Sequence, residues 1–214
     1  MVRTITLRWT LSLAILAAGA WLVCPQGQCT TTAIDHVGLN LAHDLRGARL
    51  DRWMPALTWL GSLAVLLPVT ALAALALCRG RNRRAAGFLM LALLGASALS
   101  HLVKLAVMRP RPDLLPVWTA MPTDWSYPSA HAMQITALAV AVVFVVARRR
   151  ALWILPLGSA VLLVGLSRIY LQVHFPSDVL VGTLAAALWV GGLHALIFGR
   201  SSGYDSSHVD GGKG

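Results

Sequence analysis

Apolar residues in this chain come in long runs, and charged residues fall in short clusters between them. Six runs are long enough to cross a hydrocarbon core, which takes about 20 residues per helix. They lie near 7–24, 53–78, 86–108, 130–147, 151–170 and 176–198. The pattern predicts an all-α fold, an integral membrane bundle of six transmembrane helices, with residues 1–198 as a single domain. Small residues such as Gly95, Ala96, Ser97 and Ala98 allow helices to pack closely in lipid. The first run has features of a signal peptide, with Arg3 and Arg8 before it and Ala17–Ala20 after its core. Trp21, Leu22 and Val23 ahead of Cys24 are not the small residues a lipoprotein site prefers, and the run is read as a membrane helix. Residues 33–52 interleave apolar and charged positions, which fits either an interfacial helix or an ordinary connecting loop. The stretch 199–214 is rich in Ser and Gly and is expected to be a disordered tail.

Composition supports a membrane protein. The 214 residues are 57% hydrophobic and only 12% charged, where a soluble domain carries about twice that charged fraction. Lys and Arg total 18 against 8 acids, all of them Asp. Such a balance can signal nucleic acid, but no basic motif interleaved with aromatics is present, and no nucleic-acid partner is expected. The positive charge instead marks alternate loops: Arg3 and Arg8, then Arg79, Arg81, Arg83 and Arg84, then Arg148, Arg149 and Arg150. By the positive-inside rule these loops, both termini and the tail are cytoplasmic, and loops 25–52, 109–129 and 171–175 face outward. Cys24 and Cys29 can pair if their loop is extracytoplasmic, and unpaired thiols are the equal alternative. No Cys/His spacing typical of a metal site occurs.

On this topology the remaining ionisable residues meet at one membrane face. Lys104 is near the outer end of the third helix, and Arg109 and Arg111 follow it in a proline-stiffened segment. Ser129 and His131 open the fourth helix, Arg168 is near the outer end of the fifth, His174 is in a short turn, and Asp178 begins the sixth. Charged groups at membrane depth are costly and are retained mainly for function. Lys104, Arg111 and Arg168 suit a group with several negative oxygens, and Ser129 with the backbone N–H groups of a helix start adds donors. Two histidines supply a nucleophile and an acid for the leaving group, as phosphoryl transfer needs. Asp178, four residues after His174, is spaced to hold one imidazole nitrogen and leave the other to attack. No carboxylate cluster offers a Mg²⁺ or Zn²⁺ site, so no metal or other cofactor is expected.

Lys104-x6-Arg111-Pro112, Pro128-Ser129-Ala130-His131 and Ser167-Arg168-x5-His174-x3-Asp178 together resemble the three-part signature of the type 2 phosphatidic acid phosphatase superfamily, which reads K-x6-R-P, P-S-G-H and S-R-x5-H-x3-D. The resemblance implies that Lys104, Arg111, Ser129, Ala130 and Arg168 bind phosphoryl oxygens, His174 forms a phosphohistidine, His131 protonates the leaving oxygen and later activates water, and Asp178 orients His174. Ala130 stands where the family has glycine, which bears on loop geometry. The implied function is a metal-independent phosphatase of a bacterial inner (plasma) membrane. It acts at the extracytoplasmic face on a membrane lipid phosphate or polyprenyl pyrophosphate carried in the bilayer. A lipid phosphotransferase using the same phosphohistidine is the alternative. A transporter would thread its charges across the bilayer, whereas these gather on one face. Outside the signature, Arg109 is read as a headgroup anchor, His101 as a packing group, and Asp113 and Asp124 as loop residues, Asp124 close enough to the second motif to influence it. Trp118, Trp125, Tyr127 and Tyr170 are read as interfacial aromatics or as lining for a lipid entry. Neither the lipid nor the oligomeric state is legible.

Overall fold

A computed structural model describes residues 2–115, 121–146 and 149–199. Trp118, Arg148 and the tail from 200 lie outside them. The described residues form eight α-helices and no strand: α1 Val2–Val23, α2 Ala33–Asp44, α3 Ala48–Trp59, α4 Leu63–Arg79, α5 Arg83–Val107, α6 Ala130–Val145, α7 Arg150–Tyr170 and α8 Pro176–Phe198.

Helices α1, α5, α7 and α8 are each long and apolar enough to span a membrane. The expected run at 53–78 is not one straight helix. It divides into the end of α3 and all of α4, which meet at a 48° bend and qualify as a span only together. The cause is local: Ser62 caps α4 by accepting a hydrogen bond from Val65 N–H, and Gly61 brings the backbone against a neighbour that no side chain would allow. Helix α6, at 16 residues, rises about 24 Å and is shorter than a hydrocarbon core of about 30 Å. Among the described residues, four helices are long and apolar enough to span a membrane, or five with the bent pair, where six apolar runs were expected to span.

The core is built where α5, α6 and α8 meet. Phe88, Leu89, Ala92, Leu93 and Ala96 of α5 pack on Met133, Ala137 and Ala141 of α6 and on Ala186 and Val190 of α8. The many alanines let these backbones approach, as packing in lipid requires. Helix α1 lies antiparallel along α8: Arg8 donates to Gly191 O, Ser12 to Ala185 O, and Trp9 stacks on Trp189. The first helix is thus an integral part of the bundle.

Region 33–52 is helical. Thr32 and Asp35 form a reciprocal capping box at the start of α2. Leu39 and Asp35 point inward, while Ile34, Val37, Leu41 and Leu45 are exposed at helical spacing. Cys24 and Cys29 are disulfide-bonded beside Tyr127, closing the turn after α1. Residues 121–129, before α6, are fixed by Ser126 N–H donating to Arg109 O and by the Tyr127 hydroxyl donating to Leu16 O in α1. Tyr127 is fully buried and does not lie free at an interface, while Tyr170 is buried with its hydroxyl on Asp51 and lines an apolar groove with Ile34, Leu41, Leu50 and Met54. Trp125 is exposed.

Candidate active site

At the end of the bundle where α5 ends and α6 and α8 begin, Lys104, Arg111, Ala130, His131, Arg168 and His174 line one cavity of about 190 Å³, with Leu63, Pro122, Asp124 and Gln134 completing its wall. Residues from widely separated parts of the chain meet here for identifiable reasons. Lys104 sits in the last turn of α5, which ends in a left-handed Met108 before the prolines. Ser129 and Ala130 sit at the start of α6, and Arg168 in the last turn of α7. The turn carrying His174 is tied back to α7, because the N–H groups of Val173 and His174 both donate to Arg168 O. Pro176 then starts α8, and Asp178 accepts from Phe175 N–H across its first turn.

His174 is buried, with its two ring nitrogens facing different partners. Nδ1 is 3.4 Å from Asp178 Oδ2, and Nε2 is 3.1 Å from Arg111 Nη1. Burial, then the charges of Arg111, Arg168 and Lys104, push this imidazole well below its ordinary pKa and hold it neutral. Asp178 stands behind the histidine, clear of the cavity wall. Its Oδ2 also accepts from the Ser126 hydroxyl, and its Oδ1 accepts from Arg109 Nη1 at 2.6 Å.

Arg109 is not a headgroup anchor. It is 1% exposed, lies over the Phe175 ring, and bridges two carboxylates. Its second bridge is from Nη2 to Asp35 Oδ2 at 2.8 Å. Asp35 in turn accepts from Ser177 N–H. Burial pushes Asp35 up, and the hydrogen bonds from Arg109 and Ser177 outweigh it and hold the carboxyl below its usual value. A continuous polar chain therefore runs from α2 through Asp35, Arg109 and Asp178 to His174.

The anion-binding candidates divide into two groups. The buried Ser129 Oγ and Arg168 Nε have no hydrogen-bond partner in the protein, while Arg168 Nη1 donates to Thr58 Oγ1 at 2.9 Å, at the end of α3. Lys104 and Arg111 are fully engaged. Lys104 Nζ donates to the carbonyls of Trp125 and Ser126 and lies 3.0 Å from Asp124 Oδ2. Arg111 Nη2 meets Asp124 Oδ1 at 2.5 Å, Nε donates to Asp124 O, and Nη1 donates to Val173 O. Partial burial pushes the Asp124 carboxyl up, and Lys104 and Arg111 outweigh it and hold the carboxyl below its usual range.

All the signature residues thus gather at one end of the molecule. Ala130 enters α6 in ordinary helical conformation, so the departure from glycine imposes no backbone strain. His101 is exposed and outside the site. The sequence reading missed Ser126, Thr58, Asp35 and Gln134 as neighbours of the site. Only Gln134 carried a local signal, lying one helical turn from His131. Among the described residues no group of three or more His, Cys, Asp or Glu side chains comes together to hold a metal ion.

Residues 85–202 match the PAP2 superfamily. The chain is 35% identical over 147 residues to the undecaprenyl-diphosphatase of Sulfolobus acidocaldarius, an alignment covering 67% of this chain and 68% of that one. It is 29% identical over 147 residues to phosphatidylglycerophosphatase B of Bacillus subtilis, covering 64% and 70% respectively. The crystal structure of a transmembrane PAP2 type phosphatidylglycerolphosphate phosphatase from Bacillus subtilis superimposes with a TM-score of 0.74, covering 90% of this chain and 95% of the other at 24% identity. That likeness concerns the fold.

Proposed function

This chain belongs to the PAP2 superfamily, and we propose that it is an integral-membrane phosphatase that releases phosphate from a lipid phosphate or polyprenyl diphosphate. The observation that carries this reading is the single cavity that brings His131 and His174 together with Lys104, Arg111 and Arg168. His174 Nε2 attacks phosphorus, the bond to the leaving oxygen breaks, and His131 gives that oxygen its proton. Water, losing a proton to His131, then attacks the phosphohistidine, the P–N bond breaks, and inorganic phosphate leaves. Asp178 aims His174 from behind, steadied by Ser126 and Arg109. Ser129, Arg168, Lys104, Arg111 and the α6 N-terminus with Ala130 hold the phosphoryl oxygens. No metal takes part in this scheme. The relatives act on undecaprenyl diphosphate and phosphatidylglycerophosphate by name, and these bound the substrate class.

The site is assigned to the extracytoplasmic side of a bacterial inner membrane. Two independent features support that side. Arginine clusters mark the opposite loops. The Cys24–Cys29 disulfide lies at the site's end of the bundle, beside Tyr127, and disulfides persist in oxidising compartments. In this reading the bent α3–α4 pair and the short α6 complete six membrane passages, with both termini inside.

Purified protein with chelator present is expected to release inorganic phosphate from at least one member of a panel of lipid phosphates and diphosphates, and His174→Ala to reduce release to background. Full activity in His174→Ala would remove the nucleophile. Consumption of substrate without free phosphate, and only with an acceptor alcohol, would mark transfer in place of hydrolysis.

A further inference from the structure

Asp124 stands on the two cations that the proposed function needs for phosphate. Its carboxylate spreads across them, one oxygen 3.0 Å from Lys104 Nζ and the other 2.5 Å from Arg111 Nη2. The remaining donors of both cations are also occupied, by the carbonyls of Trp125, Ser126, Asp124 and Val173 and by the His174 ring. A carboxylate with its two oxygens on two cations occupies the donors that two oxygens of a phosphoryl group would take. Lys104 and Arg111 are nearly buried, with side chains 4% and 7% exposed, whereas the Asp124 side chain is 50% exposed. The carboxylate therefore sits at the mouth of the cavity, where water can reach it, while the cations it holds are nearly buried. Arg168, which lines the same cavity, and Ser129, next to the lining Ala130, differ, since Ser129 Oγ and Arg168 Nε are buried without any hydrogen-bond partner in the protein.

We propose that Asp124 competes with the phosphoryl group for Lys104 and Arg111 and so sets how tightly the site holds phosphate. A phosphate ester enters on Ser129 and Arg168 and takes the other two cations only by displacing the carboxylate. Asp124 thereby weakens the hold on substrate and, equally, on product phosphate. It also keeps Lys104 and Arg111 in place between turnovers. This inference rests on the phosphatase reading for its meaning, but the competition itself is measurable without catalysis.

The test is binding of inorganic phosphate and of vanadate to full-length protein in detergent, with KM and kcat for the best lipid substrate measured in parallel. Asp124→Asn is nearly isosteric and keeps a neutral hydrogen-bonding group. Asp124→Ser serves as a second variant, and thermal unfolding in detergent checks that each is folded. Both variants are expected to bind phosphate and vanadate at least about tenfold more tightly, because a like charge beside the anion is removed. KM is expected to fall in step, with kcat unchanged or reduced. Equal or weaker binding in both variants, or no binding in any form, would overturn the proposal and leave Asp124 as a support for the cations. Wild-type protein that releases no phosphate while Asp124→Asn binds it tightly would instead count against the phosphatase reading and leave the competition standing.

Discussion

At the residue scale the site depends on how charge is arranged around one neutral imidazole. His174 faces three cations and a buried environment, both of which disfavour the protonated ring. Its folded-state pKa therefore lies below the ordinary value, and the ring stays deprotonated as pH falls through 6.5. Titration of labelled His174 by nuclear magnetic resonance is expected to show no protonation between pH 8 and 6.5. A midpoint at or above 6.5 would mean that the cations do not act on the ring as described. The residues proposed to hold phosphate are legible in the sequence because each belongs to a short spaced motif. Their supports are not. Asp35 and Arg109 are 74 residues apart, and nothing around Thr32–His36 marks a residue that will reach the site. Arg109 looked like one more basic group beside a membrane. Only tertiary packing shows it wedged between two carboxylates, a setting in which removing one partner of a buried pair costs about 3–5 kcal/mol.

At the scale of elements the break between α3 and α4 matters most. Hydropathy reports burial, so residues 53–78 read as one uninterrupted run, and the change of direction at Leu60–Ser62 left no trace in it. The signals were present in the form of a glycine followed by a capping serine. The break puts Thr58 on Arg168 and brings Gly61 against His131. A Cβ at Gly61 would lie 2.5 Å from Val164 Cγ1 and 3.1 Å from His131 Cβ. Overpacking of this kind costs about 1–3 kcal/mol and moves neighbours. Gly61→Ala is therefore expected to lower kcat/KM by about tenfold or more, since the neighbour displaced is the proposed acid. Gly158→Ala, in the apolar span α7 with nothing within 4 Å of its added methyl, should behave as wild type. Equal activity in the two variants would show that the close approach of the bend to His131 is dispensable.

At the scale of the molecule, the sequence made the class of fold and the convergence of the motifs readable, because burial in lipid leaves few polar residues and each is conspicuous. It did not disclose which helices touch, since any apolar face suits any other. The sidedness proposed above has a built-in reporter. Cys78 is a free, exposed thiol at the end of α4, next to the Arg79–Arg84 cluster. A membrane-impermeant maleimide should label it in inverted vesicles and not in intact cells, and labelling from outside would reverse the topology. The antiparallel pairing of α1 with α8 carries a consequence for biogenesis. Arg8 meets Gly191 and Ser12 meets Ala185, contacts that span 183 and 173 residues. Helix α1 therefore cannot close on its partner until α8 has been made, and such long-range closure is slow. Helix α8 also brings Asp178. Nascent chains stalled before residue 176 lack both the α1–α8 seam and the carboxylate behind His174, so neither the pairing of α1 nor the support of His174 forms before α8 is made.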